Sequence, residues 1–216
     1  MGSKTAKFDT EVNRAPALRI SHIVFGREND SDGPGGRVTY LVDPDGHGEE
    51  RDIPEEVVIK RWRRRLFDGH TFHGARLSPN IWRAVDRAFG RDAHELVSLD
   101  TESVLAGRAL LAATREHHHF FLPNPDVLLA LFEALGPWRL SEILSRHLAP
   151  ERASRYGTPD LFLFARDRRR SGVAFYRIVE VKKPGEAISR DQHEEVAFLR
   201  SIGVPARVLH LIERKR

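Results

Sequence analysis

The stretches "RYGTPDLFLF" (155–164) and "FYRIVEVKKP" (175–184) place carboxylates where core residues are expected. Asp160 stands at the mouth of one apolar run, and Glu180 and Lys182 lie inside the next. Successive side chains of a strand alternate between faces, so Glu180 and Lys182 share one. A hairpin joining the two runs would bring Asp160 beside Glu180. Two carboxylates held together are costly unless a cation neutralises them, and hard oxygen ligands suit Mg²⁺ or Mn²⁺. A lysine two residues beyond Glu180 can hold a water or a phosphate and stabilise developing negative charge. That is the equipment for hydrolysing a phosphodiester. The plain alternative is a pair of surface charges on a half-exposed hairpin.

Other parts of the chain test how specific this pattern is. Pro44-Asp45 lies in "DPDG", a turn sequence. Pro125-Asp126 starts a helical stretch, where the aspartate suits the helix dipole. Only Pro159-Asp160 leads into a strand. Glu213-Arg-Lys215 repeats the spacing of Glu180 and Lys182, but at the end of the chain. Gln192 is the next candidate. Ser189-Arg-Asp-Gln192 fits a capping box, in which Gln192 reaches back to the Ser189 amide. Alternatively Gln192 projects from the first helical turn toward the carboxylates, and the sequence leaves both readings open.

These residues need elements to hold them. Residues 1–16 read as a polar arm, followed by strands at 17–26 and 36–43 joined by the turn-rich "RENDSDGPGG". Residues 44–54 read as a loop, and 55–148 as mostly helical. Ser78-Pro79 starts a helix with Ile81, Trp82, Val85 and Phe89 along one stripe. Asn124-Pro125 opens another that Gly136 closes, and a third runs over 138–148. After Gly157 the order is strand, turn, strand, helix, strand. The expected organisation is an arm with a small β appendage (1–56), a helical region (57–136) and a C-terminal core (137–216).

Of the 216 residues 40% are apolar and 31% charged, enough to bury a sizeable core in a soluble domain. The absence of cysteine excludes disulfides and thiolate metal sites. No run approaches the roughly 20 apolar residues of a membrane span, so the expectation is no membrane partner and a cytoplasmic location. The net charge is +4, with basic clusters at 60–67, 165–172 and 213–216. Such patches suit an anionic polymer, nucleic acid above all, although solvated arginine-rich faces are common. Arg155, Arg168, Arg169, Arg170 and Lys183 are candidate phosphate contacts carrying affinity without sequence reading. His117, His118 and His119 splay apart on any regular backbone, and His70 and His73 lack a third zinc ligand.

The segment "YGTPDLFLF…RIVEVKKPGEAISRDQHEEVAFLRSIGVPARVLHL" resembles the VRR-NUC domain, a branch of the PD-(D/E)XK nuclease superfamily. Upstream, "LSEILSRHLAPERASRYGTPDL" is similar to the approach to this domain in the Fanconi-associated nucleases. The resemblance implies a mixed α/β, restriction-endonuclease-like core, helices then β-β-α-β. It implies Asp160 and Glu180 as ligands of Mg²⁺ or Mn²⁺, with the Val181 carbonyl completing the shell. Lys182 becomes the catalytic lysine and Gln192 the helix glutamine. Many members add a glutamate from an upstream helix. Glu142 is the candidate here, off the apolar face of its helix, with Glu102, Glu116 and Glu133 as alternatives. The implied function is metal-dependent DNA hydrolysis, in repair or replication or as an antibacterial effector. An effector would act in a target cell's cytoplasm and need an immunity protein. The alternative is a non-catalytic DNA-binding or scaffolding module that keeps the fold.

Overall fold

A computed structural model describes residues 27–28, 39–42, 50–65, 67, 69–92, 96, 99–113, 122–149, 157–169, 172–183 and 185–211. The element order is β1 (Arg27–Glu28), β2 (Thr39–Val42), β3 (Glu50–Asp52), α1 (Pro54–Arg63), β4 (His70–Arg76), α2 (Ile81–Phe89), α3 (Thr101–Ala112), α4 (Pro125–Leu148), β5 (Leu161–Asp167), β6 (Val173–Lys182), α5 (Arg190–Ser201) and β7 (Ala206–His210). The short strands β1, β2 and β3 form an antiparallel sheet of their own, the small β appendage. The expected strand at 17–26 lies outside the described residues. Two corrections fall here: β1 starts the predicted 27–36 loop, and β3 lies in the predicted 44–54 loop.

A four-stranded mixed sheet, in the order β4-β5-β6-β7, organises the rest. β4, β5 and β6 are antiparallel neighbours, whereas β7 runs parallel to β6 after the α5 crossover. The run Leu161-Phe-Leu-Phe164 does not alternate because both its faces are covered. Phe162, Phe164 and Ile178 join the core formed by α2 to α5, whereas Leu161, Leu163, Val179 and Val181 pack toward α1.

α1 covers that second face. Pro54 opens it, Glu55 and Glu56 occupy its first turn, and Lys60, Arg61 and Arg63 its last, the polarity that the helix dipole favours. Val57, Val58, Ile59 and Trp62 are buried, each contributing about 1.5–3 kcal/mol when fully covered. Trp62 also donates Nε1 to the Phe164 carbonyl at 3.1 Å. Thus part of the basic cluster at 60–67 is a docked helix end.

β4 corrects the expectation of a mostly helical stretch from 55 to 148. In His70–Arg76 only Phe72 and Gly74 are buried, so this edge strand has little apolar alternation to reveal it. The other helices follow their signals. Ile81, Trp82 and Val85 of α2 are buried. Asn124 caps α4 by accepting from the Val127 amide at 3.0 Å. Gly136 interrupts α4 with φ 69°, and Pro137 restarts it. No helix among the described residues is long and apolar enough to cross a membrane.

Candidate active site

The β5–β6 ladder ends at the pair Leu161 and Val179, so Asp160 and Glu180 are the next residues beyond it. There Asp160 substitutes its side chain for a strand partner: Oδ2 accepts from the Val181 amide at 2.7 Å. Its carbonyl accepts from the Leu77 amide at 2.7 Å, fastening the approach to β5 onto the end of β4. Gly157, at φ 116°, makes this approach possible; a Cβ there would lie 3.3 Å from the Asp191 carbonyl of α5.

By strand alternation Glu180 and Lys182 share the Ile178 face, on which α5 sits. Both are only 2% exposed. Lys182 Nζ lies 3.0 Å from Glu180 Oε1 and 3.4 Å from Glu186 Oε1. Gln192 donates Nε2 to the same Glu180 oxygen. Its own Oε1 accepts from the Ser189 amide at 3.0 Å, while Ser189 Oγ accepts from the Gln192 amide at 3.3 Å. The capping box and the projection toward the carboxylates are therefore simultaneous, because the two ends of one amide serve them separately.

Glu180 Oε2 is buried with no hydrogen-bond partner. Burial, then the charge of Asp160, pushes the Glu180 carboxyl up to about 7. Asp160 is raised too: burial dominates, the Val181 amide opposes it, and the charge of Glu55 adds to it. Burial disfavours the Lys182 ammonium, but its contacts with Glu180 and Glu186 outweigh that and raise it. An orphaned carboxylate oxygen beside a second carboxylate is the donor set that a hard divalent cation satisfies. The residues present therefore fit a hard divalent cation. Among the described residues no three acidic or histidine side chains converge to hold an ion by themselves. Backbone oxygen and water would have to complete the shell.

The remaining candidates lie as follows. Glu142 is exposed on α4, and Glu102 is exposed on α3. Glu133 is occupied elsewhere, accepting from the Val173 amide at 2.6 Å and lying 3.5 Å from Arg166. Arg168, Arg169 and Lys183 are exposed, the first two in the β5–β6 turn and the third just after β6. Arg155, Arg170, Glu116 and His117–His119 lie outside the described residues. His73 is 3.1 Å from Thr71, and among the described residues neither it nor His70 joins a metal-ligand group.

Three residues escaped the sequence reading. Glu55, in the first turn of α1, faces Asp160 closely enough for its charge to act there. Its helix immediately precedes the sheet, a signal that the unrecognised β4 concealed. Glu186 bonds Lys182 and also accepts from the Lys183 amide at 3.1 Å. Glu195, on α5, is 0% exposed and meets Arg146 at 3.2 Å and His147 at 2.9 Å. Burial would raise its carboxyl, but bonding to His147 and Arg146 outweighs this and holds it low. This pair from α4 pins the helix that carries Gln192.

No curated protein sequence matches the chain. Two solved structures of paFAN1 align with it, bound to 5′-flap DNA with a gap and carrying a one-nucleotide or a two-nucleotide flap. The first is 18% identical, with a TM-score of 0.49, over 78% of this chain and 36% of that one. The second is 18% identical, with a TM-score of 0.45, over 75% and 35%. The chain thus spans about a third of the length of paFAN1. Residues 106–211 match the VRR-NUC domain family, and they contain Asp160, Glu180, Lys182 and Gln192. The VRR-NUC match thus runs from within α3 to the residue after β7.

Proposed function

We propose that the chain is a divalent-metal-dependent DNA nuclease that hydrolyses phosphodiester bonds. The observation that carries this reading is the unpartnered, buried Oε2 of Glu180 beside Asp160, with Lys182 on the same carboxylate. Asp160 and Glu180 would hold Mg²⁺ or Mn²⁺, with the Val181 carbonyl as a further oxygen. The ion would neutralise the carboxylates and polarise the scissile phosphate. Lys182, beside the Glu180 carboxylate, would orient the attacking water and stabilise charge developing on the phosphoryl oxygens. Gln192 fixes the Glu180 carboxylate by holding one oxygen, leaving the other directed to the ligand. Glu55, on α1, adds negative charge facing Asp160, which a bound cation would offset. Arg168, Arg169 and Lys183 are available to contact strand phosphates without reading bases.

The test is cleavage of plasmid and flapped DNA with Mg²⁺, Mn²⁺ or EDTA. Wild type is compared with Asp160→Ala and Lys182→Ala. The expected result is metal-dependent cutting lost in both variants. Well-folded wild type that binds DNA without cutting it would sink the proposal in favour of a binding module. Toxicity on expression that a neighbouring gene product relieves would identify an effector; its absence, with preference for flaps, would favour repair.

A further inference from the structure

On the opposite face of the sheet, between α1 and strands β5 to β7, lies a shallow cleft open to solvent. We infer that it is a binding site for a nucleoside di- or triphosphate, whose phosphates are held by Arg61, Arg65, Arg177 and Arg207. The four arginines come from α1, the residues just after it, β6 and β7, and line one concavity. Its wall is otherwise mostly apolar and includes Trp62, Leu163 and Val179.

Among the described residues none of these guanidiniums is paired with a carboxylate. Arg177 Nε is buried without any hydrogen-bond partner. Burial, then the charges of Arg207 and Arg65, lowers the Arg177 guanidinium from its ordinary value, and burial and Arg65 do the same for Arg61. Cations gathered in this way are unfavourable unless an anion joins them. Arg65 is already held over the Trp62 ring at 4.7 Å, so part of the set is preorganised. Guanidinium forks match phosphate oxygens in pairs, which favours phosphate over a simple halide or carboxylate. Four forks exceed what one phosphate can occupy, so a di- or triphosphate suits them better.

The apolar wall calls for a ligand with an uncharged body attached to those phosphates. A nucleoside supplies one, and a bare polyphosphate leaves the wall uncovered. A nucleic-acid strand laid over Asp160, Glu180 and Lys182 does not account for this site. Arg177 and Val179 alternate with Glu180 along β6, so the cleft opens on the other side of the sheet.

The experiment is calorimetric titration of the full chain in EDTA with ADP, inorganic pyrophosphate and a short 5′-phosphorylated oligonucleotide. These conditions make binding independent of DNA cleavage. The expected result is ADP binding several-fold tighter than pyrophosphate and not displaced by the oligonucleotide. Arg177→Gln and Arg207→Gln should each weaken ADP roughly tenfold without lowering the unfolding temperature, since each relieves repulsion. Arg207→Lys, keeping charge but not the fork, should also weaken ADP. No ADP binding, pyrophosphate binding as tightly as ADP, displacement by the oligonucleotide, or variants that bind ADP like wild type would each overturn the inference.

Discussion

Gln192 and Glu180 are joined by the same side-chain amide that closes the N-terminus of α5: its nitrogen donates to the carboxylate and its oxygen accepts from Ser189. Helix start and candidate site are thereby one mechanical unit. The two roles separate by substitution. Ser189→Ala removes the hydroxyl cap alone and should cost about 1 kcal/mol with little change in cleavage. Gln192→Ala should cost a similar amount and also lower cleavage at least tenfold, about 1.4 kcal/mol in the barrier. Thermal unfolding beside single-turnover cleavage reads both, and equal cleavage by the two variants would refute the link.

Glu180 gives stability a direction with pH. Its carboxyl is pushed up to about 7 against an ordinary 4.5, so the folded state binds that proton more tightly than the unfolded chain. Stability from this group is therefore fully present below about 4.5 and falls as pH rises toward 7, by at most about 1.4 kcal/mol per unit. Above that window it changes no further. Unfolding midpoints in EDTA should show this slope in wild type and not in Glu180→Gln. The same slope in both would assign it to other groups.

Glu55 and Glu142 make opposite predictions. Glu55→Gln, which removes a negative charge facing Asp160, should weaken metal affinity by roughly tenfold at most. Glu142→Gln, an exposed change on α4, should leave it within experimental error. Metal-concentration dependence of cleavage distinguishes weaker metal binding from slower chemistry.

Glu195 is the most consequential charge for stability. Removing it leaves Arg146 and His147 facing a buried gap, and Glu195→Ala should cost about 3–5 kcal/mol. For a chain of this size that is on the order of 10 °C in unfolding temperature. A loss below 1 kcal/mol would mean that solvent replaces the carboxylate without strain.

What could be read beforehand was local. Pro159-Asp160, the alternating Glu180 and Lys182, and Ser189 to Gln192 each lie within a few residues of one another. Their meaning depends only on strand alternation and helix capping. Gly136 likewise marked the interruption of α4 through a backbone angle that other residues avoid. Glu55, β4 and Glu195 were hidden for the opposite reason. Glu55 matters through Asp160, β4 through its ladder with β5, and Glu195 through two residues of α4. On α5, Glu195 resembles any charged helix residue until its neighbours arrive. The same holds for the four arginines, scattered over 61–207 in the chain yet gathered by the fold around one cleft.

Arg76 and Leu161 are ladder partners although all of α2, α3 and α4 intervenes between them. β4 therefore cannot join the sheet by zipping up from a turn, as β6 can with β5. Its arrival requires closing a very long loop, whose entropy must be met before the strand contacts repay it. Prior collapse of the intervening helices shortens that search. Because the Asp160 carbonyl accepts from Leu77 at the end of β4, this late, long-range step also sets the candidate ligand in place. The β5–β6 hairpin brings the carboxylate pair together, and the arrival of β4 fastens the Asp160 backbone beside it.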